Sequence, residues 1–347
     1  MKKFCPFPEI GQFRNIVKQI VDSTQYVGRD ENDGPIYDPT LKMPIITMVG
    51  TTKLHGTNAS VSINQDGEQW AGSRSQIITP SNDNAGMAQF AYGKRDVFAE
   101  LFNLIPFNGY DYVTIFGEWC GKGIQKGVAI AELPKMFVIF DIKRSYDTIE
   151  QGENVYATDD EIKLLRSPEN QIYNIFDYPT QEITIDFANP GLSQNHIIEL
   201  TINVEDECPV GKAFGISSVG EGLVFSFIDN NGVKRRFKSK GLKHSNSKVK
   251  VLHAVDKPRL IKINEIAEQV TPVWRLSQML ETTFDIMNGG YLDRTKLGEY
   301  IKNVITDIVK EDLDIITDAG LELKDIGGKI SNIAKNYFFD VEKHTST

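Results

Sequence analysis

Lys53 stands in Thr51-Thr52-Lys53-Leu54-His55-Gly56-Thr57-Asn58, followed by an imidazole at the second position and a carboxamide at the fifth. A lysine amine attacks phosphorus only in its neutral form, and its reference pKa of about 10.4 leaves it almost wholly protonated at neutral pH. Such a lysine needs surroundings that favour the neutral amine, carboxylates for a metal ion, cations for phosphate and an aromatic ring for a base. The Lys-x-x-Gly spacing alone does not single it out, because Lys238 precedes Gly241 and Lys324 precedes Gly327 in the same way. Lys238 belongs to a basic run and Lys324 leads into a helical pattern. Lys53 alone is followed by His and Asn.

Five further segments supply the other parts in order along the chain. Ala71-Gly72-Ser73-Arg74-Ser75 puts an arginine at a strand end, where it can hold a phosphate. Phe116-Gly117-Glu118 ends an apolar run on a glutamate before a glycine-rich turn, suited to a ribose hydroxyl or a metal-bound water. Phe140-Asp141 offers a ring that can stack on a purine. Glu221-Gly222-Leu223-Val224-Phe225 places a second acid at the start of a strand. Phe237-Lys238-Ser239-Lys240 places two lysines two residues apart, on one side of a strand, where both can reach one polyphosphate. Each segment alone has a plainer reading: a surface arginine, a solvent-facing glutamate, a core phenylalanine.

The elements that must position these residues are mostly strands. Ala59-Ser60-Val61-Ser62-Ile63 alternates as a half-buried strand does and ends in a turn at Asn64-Gln65-Asp66-Gly67. Runs 112–118 and 136–142 are strand-like, and 222–228 with 233–238 reads as a hairpin across Asp229-Asn230-Asn231-Gly232. Residues 87–102 read as helix. The character changes near Lys257-Pro258. Thr271-Pro272 is the expected start of one amphipathic helix, Asp293 the cap of another and Asp325 the start of a third. The expected division is 1–257 for a β-rich domain and 258–347 for a small all-helical one. Residues 143–211 carry no motif.

At 347 residues, with 40% hydrophobic and 24% charged residues, the composition is that of a globular protein of one large and one small domain. No apolar stretch approaches the ~20 residues that span a bilayer, and the N-terminus lacks the apolar core of a signal peptide. Cys5, Cys120 and Cys208 are too widely spaced for a zinc knuckle or a disulfide framework, so a reducing cytoplasm is expected. A net charge of −9 argues at first against a nucleic-acid partner, yet Val233 to Lys250 holds eight Lys and Arg and no acid. That run, with Arg235, Arg236, Lys243 and Lys248, is expected to contact a phosphate backbone, which would make nucleic-acid binding salt-sensitive.

Together and in this order, the segments resemble the covalent nucleotidyltransferase superfamily of ATP-dependent ligases and mRNA capping enzymes. Lys53-Leu54-His55-Gly56-Thr57-Asn58 resembles the nucleotidyl-lysine motif in its RNA-ligase form, and Phe116-Gly117-Glu118, Phe140-Asp141, Glu221-Gly222-Leu223-Val224 and Lys238-Ser239-Lys240 resemble the four later motifs. Within the superfamily the chain is most similar to the phage-type RNA ligase 2 family, whose helical appendage Thr271-Pro272-Val273-Trp274-Arg275-Leu276 fits.

The resemblance implies an α+β fold: an adenylyltransferase domain of antiparallel sheets with flanking helices, then a C-terminal helical domain. It implies ATP as adenylate donor, Mg²⁺ or Mn²⁺, and joining of 3′-hydroxyl and 5′-phosphate RNA ends at nicks in duplex RNA through lysyl-AMP and RNA-adenylate. Lys53 would carry AMP, and Lys238 and Lys240 would bind the α-phosphate. Glu221, with Glu118, would hold the metal, and Phe140 would stack on adenine. Thr52, Leu54, Asn58 and Arg74 would complete the ATP site, with His55 and Arg74 also serving RNA. A monomer without a membrane partner, active in the cytoplasm of a phage-infected cell, is the implied setting. Two alternatives are a DNA ligase or capping-type enzyme, both of which normally carry an OB-fold after the paired lysines, and a catalytically inactive RNA-binding relative.

Overall fold

The computed structural model describes residues 2–29, 35–230, 232–241, 243, 255–286 and 291–345. The fold is mixed α/β and forms two compact units. The first contains Met1–Val17, Ile45–Ile185 and Ser193–His253; the second contains Lys18–Pro44, Asp186–Leu192 and Ala254–Thr347. The helical segment expected from residue 258 onward is thus joined in its unit by two earlier pieces of chain. No described helix is long and apolar enough to cross a membrane.

Two sheets build the first unit. One has the strand order Gly11–Gln12, Lys234–Lys240, Gly222–Ile228, Ile45–Lys53, Gln181–Asp186. The expected hairpin is there: Gly222–Ile228 pairs antiparallel with Lys234–Lys240 on one side and with Ile45–Lys53 on the other. The strand Gly11–Gln12 pairs parallel with Phe237 and Lys238, a contact no local pattern announces.

The second sheet runs Val155–Tyr156, Met136–Ser145, Tyr112–Cys120, Thr57–Asn64, Gln69–Gly72, Ile77–Ile78, with Ile172–Asn174 pairing parallel to Met136–Ser145. Its two long central pairings are antiparallel. The alternation read at 59–63 is the middle of Thr57–Asn64, whose Ala59, Val61 and Ile63 join Val113, Ile115, Phe137 and Ile139 in one buried cluster. The helical run 87–102 is two helices, Met87–Gly93 and Arg95–Asn103, and covers that cluster with Met87, Phe98, Leu101 and Phe102.

In the second unit, helices Lys257–Val270, Val273–Phe284, Leu297–Glu311 and Leu323–Thr345 share a core around Tyr300, Val304, Ile330 and Phe338. Here capping differs from expectation. Thr271 turns its hydroxyl back to the carbonyl of Ala267 and closes the preceding helix, leaving Pro272 as the N-cap of the next. A proline there has no N–H to leave unpaired. Asp293 does cap, accepting from the Thr295 N–H ahead of Leu297–Glu311. Asp325 lies inside the first turn of Leu323–Thr345 rather than before it.

Candidate active site

Strand register places the chemistry. Lys53 lies opposite Gly222, and Gly222 lies opposite Lys240, so both lysines occupy one row across three strands. One step along, Thr51, Val224 and Lys238 form the next row on the same face. Because side chains alternate, Lys234, Arg236, Lys238 and Lys240 share a face and all four line one pocket, while Phe237 turns to the other face and stacks on Phe225 at 4.9 Å.

Glycine permits the row to close. Gly222 has φ +146°, and a Cβ there would lie 2.1 Å from the Ser239 carbonyl oxygen. A Cβ on Gly56 would lie 2.3 Å from the Trp119 carbonyl oxygen. Both positions need the bare backbone.

Glu221 ties the row together. Its carboxylate is almost fully buried and takes Lys53 Nζ at 2.6 Å on Oε2 and Lys240 Nζ at 2.6 Å on Oε1, with His55 Nδ1 3.5 Å from Oε2. Burial alone would raise this carboxyl, but His55, Lys53 and Lys240 outweigh it and hold it well below the ordinary carboxylate range. Lys238 is also lowered, but from different causes: burial, and then the charges of Lys240 and Lys53, weaken its hold on a proton.

Glu118 arrives from the second sheet, in register with Asn58, and accepts the Gly56 N–H at 2.9 Å. Burial pushes its carboxyl up to about 7; Lys53 and the Gly56 N–H oppose that and Glu221 adds to it. A carboxyl raised in the folded state stabilises it fully below its unfolded value and loses that contribution as pH rises through the folded one. The expected result is that wild-type protein loses stability relative to Glu118→Gln between about pH 4.5 and about pH 7, read as melting temperature against pH. Parallel profiles for the two proteins would contradict it.

The pocket lies between the two sheets and has a volume of about 410 Å³. Lys53, Asn58, Arg74, Glu118, Phe140, Lys238 and Lys240 line it together, with Thr52 and Leu54 contributing at its edge. Phe140 reaches it through a bulge. Asp141 pairs with Phe116 and Ile139 with Gly117, which leaves Phe140 as the extra residue and re-aims its ring. Thr52 turns a buried hydroxyl into the protein, where it has no hydrogen-bond partner. Leu54 belongs to an apolar cluster with Cys120 and Val138. Arg74 is exposed at the rim.

The basic run divides. Arg236 lies in the pocket wall, paired with the buried Asp141 and over the rings of Phe7 and Tyr156 at 5.2 and 4.1 Å. Arg235 points to the other face and pairs with Asp229 at 2.7 Å. Lys243 pairs with Asp206 at 2.9 Å. Lys248 lies outside the described residues. Sequence reading missed Phe7, Thr51, Asp141, Ser226 and Lys234 as lining residues. Extending the alternation of Lys238 and Lys240 backwards finds Lys234 and Arg236. Phe7 gave no such signal, since a strand far along the chain brings it in.

The arrangement brings together a lysine amine, a row of cations and an aromatic ring, Phe140, in one pocket. Among the described residues no group of three or more His, Cys, Asp or Glu could cage a metal. Two carboxylates, Glu221 and Glu118, suit an ion that keeps part of its water shell, as Mg²⁺ does. The family model for RNA ligases matches residues 46–240. No curated protein matches the sequence. Among solved structures, the chain is similar to a Naegleria gruberi RNA ligase with PPi at 18% identity and TM-score 0.44, over 71% of this chain and 60% of that one. It is also similar to a lysine-to-alanine mutant of that ligase with ATP and Mn, at 18% identity and TM-score 0.42, over 70% and 58%. A mutant with AMP and Mn gives 18%, 0.42, 70% and 58%. The chain spans about 60% of the length of these proteins.

Proposed function

The chain belongs to the RNA ligase family, and on that premise we propose that it is an ATP-dependent RNA ligase of the phage-type RNA ligase 2 branch, joining 3′-hydroxyl and 5′-phosphate ends at nicks in duplex RNA. Residues 1–257 act as the adenylyltransferase domain and 258–347 as its helical appendage, in a monomer that works in the cytoplasm of an infected cell. The observation that carries this reading is the row Lys53–Gly222–Lys240 with Glu221 bridging both amines at 2.6 Å.

In the first step the Lys53 amine attacks the α-phosphorus of ATP, a P–N bond forms, the P–O bond to the leaving group breaks, and pyrophosphate departs. Glu221 aims the amine, and Lys240 and Lys238, on the same face across the intervening strand, hold the α-phosphate where charge develops. Phe140 covers the adenine, Glu118 and Asn58 face the nucleotide from the second sheet, and Thr52 and Leu54 shape the wall. AMP then passes to an RNA 5′-phosphate, and a 3′-hydroxyl displaces it. Arg74 at the rim and His55 beside Glu221 serve these RNA steps, with Arg235, Arg236, Lys243 and Lys248 as phosphate contacts. Glu221 and Glu118 are the residues that would hold Mg²⁺ or Mn²⁺, which supplies neutralisation of phosphate charge and disfavours an ammonium beside it.

The test is a sealing panel of single-stranded RNA, a nicked RNA duplex and an RNA–DNA hybrid, each with ribose or deoxyribose at the 3′ end. The nicked duplex with a ribose 3′ end is expected to be sealed fastest. Equal sealing of a deoxyribose end, or faster joining of free single strands, would overturn the substrate assignment.

A further inference from the structure

The helix Gly191–Asp206 falls in the part of the chain without motifs, yet its last turns touch both segments that carry the Glu221–Lys240 pair. Thr201 and Glu205, four residues apart and so on one face, are both buried. The Thr201 hydroxyl lies 2.8 Å from the hydroxyl of Ser239, the residue between the paired lysines. The Glu205 carboxylate fills the space beside Gly241, where a Cβ would come within 2.2 Å of it, and accepts the Lys243 N–H. The Glu205 main-chain carbonyl accepts the Gly220 N–H at 3.2 Å, and a Cβ on Gly220 would lie 2.3 Å from the Val204 carbonyl oxygen. Between these contacts the Gly241 N–H donates to the Glu221 carbonyl at 3.3 Å. One helix end therefore grips the residue just before Glu221 and the residue just after Lys240.

We infer that Glu205 and Thr201 are positioning residues for nucleotidyl transfer: they fix the strand ends so that Glu221 and Lys240 meet in the row of Lys53. The inference rests on the ligase reading for its kinetic consequence and on the contacts alone for its structural one. A shift of about 1 Å in a reacting constellation costs up to about 100-fold in rate, which sets the scale of the effect. Neither residue touches the pocket, so ATP affinity should change little.

The experiment measures single-turnover AMP transfer to the protein and hydrogen exchange at the Lys243 amide. Glu205→Ala is expected to lower the rate at saturating ATP by about 10- to 100-fold, with half-saturating ATP moving less than about threefold. Glu205→Gln keeps an acceptor of equal reach and should stay within about threefold of wild type. Gly241→Ala should act like Glu205→Ala because its methyl evicts the carboxylate, and the double variant should be no slower than Glu205→Ala alone. Lys243 exchange should quicken in Glu205→Ala and not in Glu205→Gln. If Glu205→Ala does not fold, Thr201→Val carries the kinetic test, with a loss of about 3- to 10-fold. A wild-type rate in Glu205→Ala, or additive losses in the double variant, overturns the inference. Absence of label on wild-type protein overturns the ligase reading instead, and the exchange result then still decides the clamp.

Discussion

Lys53→Met protein incubated with α-labelled ATP and Mg²⁺ carries no label, a loss beyond about 10³-fold, as expected when the nucleophile of a covalent mechanism is removed. Three other lysines line the same pocket, so the claim is specific, and one of them, Lys234, is paired with Asp141 and Asp159. Lys240 is held by Glu221 Oε1 at 2.6 Å, and Lys238 lies a row away. Lys53→Arg should fail equally, because a guanidinium does not give up its proton in a protein. The fold should survive both changes: Lys53 is partly exposed, and Glu221 keeps Lys240 and His55 as partners. Melting temperature within a few degrees of wild type, together with loss of label, separates chemistry from collapse. Label on Lys53→Met would place the nucleophile elsewhere.

What was legible was the grouping of these residues, through spacing that survives folding. Lys238 and Lys240 are two apart on a strand and so share a face, and Glu221 stands at the start of the strand that pairs with both neighbours, as the local pattern indicated. The strands 57–64, 112–120, 136–145 and the hairpin follow from alternation and turn residues for the same reason. Other features depend on distant chain. Phe7 reaches the pocket because residues 11 and 12 pair with residues 237 and 238, a register no local window contains. Arg236 reads as a surface cation until Asp141, 95 residues away, draws it into the wall. Phe140 shares that limit: its exit from the apolar core depends on a bulge set by pairing across strands. The helix ending at Asp206 mixes apolar and polar residues without a clear stripe, so its packing against Ser239 and Gly241 was hidden.

The second large effect belongs to Glu221. Glu221→Ala removes the anion from a cluster of Lys53, Lys240 and His55, and the rate of lysyl-AMP formation should fall more than about 100-fold. Removing one member of a fully buried ion pair costs about 3–5 kcal/mol. Both lysines here are about one-fifth exposed, so water screens them and a loss of about 2–3 kcal/mol is expected. The pH dependence identifies the cause. A carboxyl held below its ordinary value stabilises the fold above its unfolded pKa of about 4.5 and loses that contribution as pH falls further. The stability gap between wild type and Glu221→Ala should therefore be full at pH 7 and shrink in acid below about 4.5. Glu118, raised to about 7, has the opposite sign and acts between about 4.5 and 7. Urea denaturation of wild type, Glu221→Ala and Glu118→Gln at pH 8, 5.5 and 3 resolves the two. A gap for Glu221→Ala that is unchanged at pH 3 would mean that the carboxylate is not held by the three cations, and that the bridge between Lys53 and Lys240 is not what aligns them.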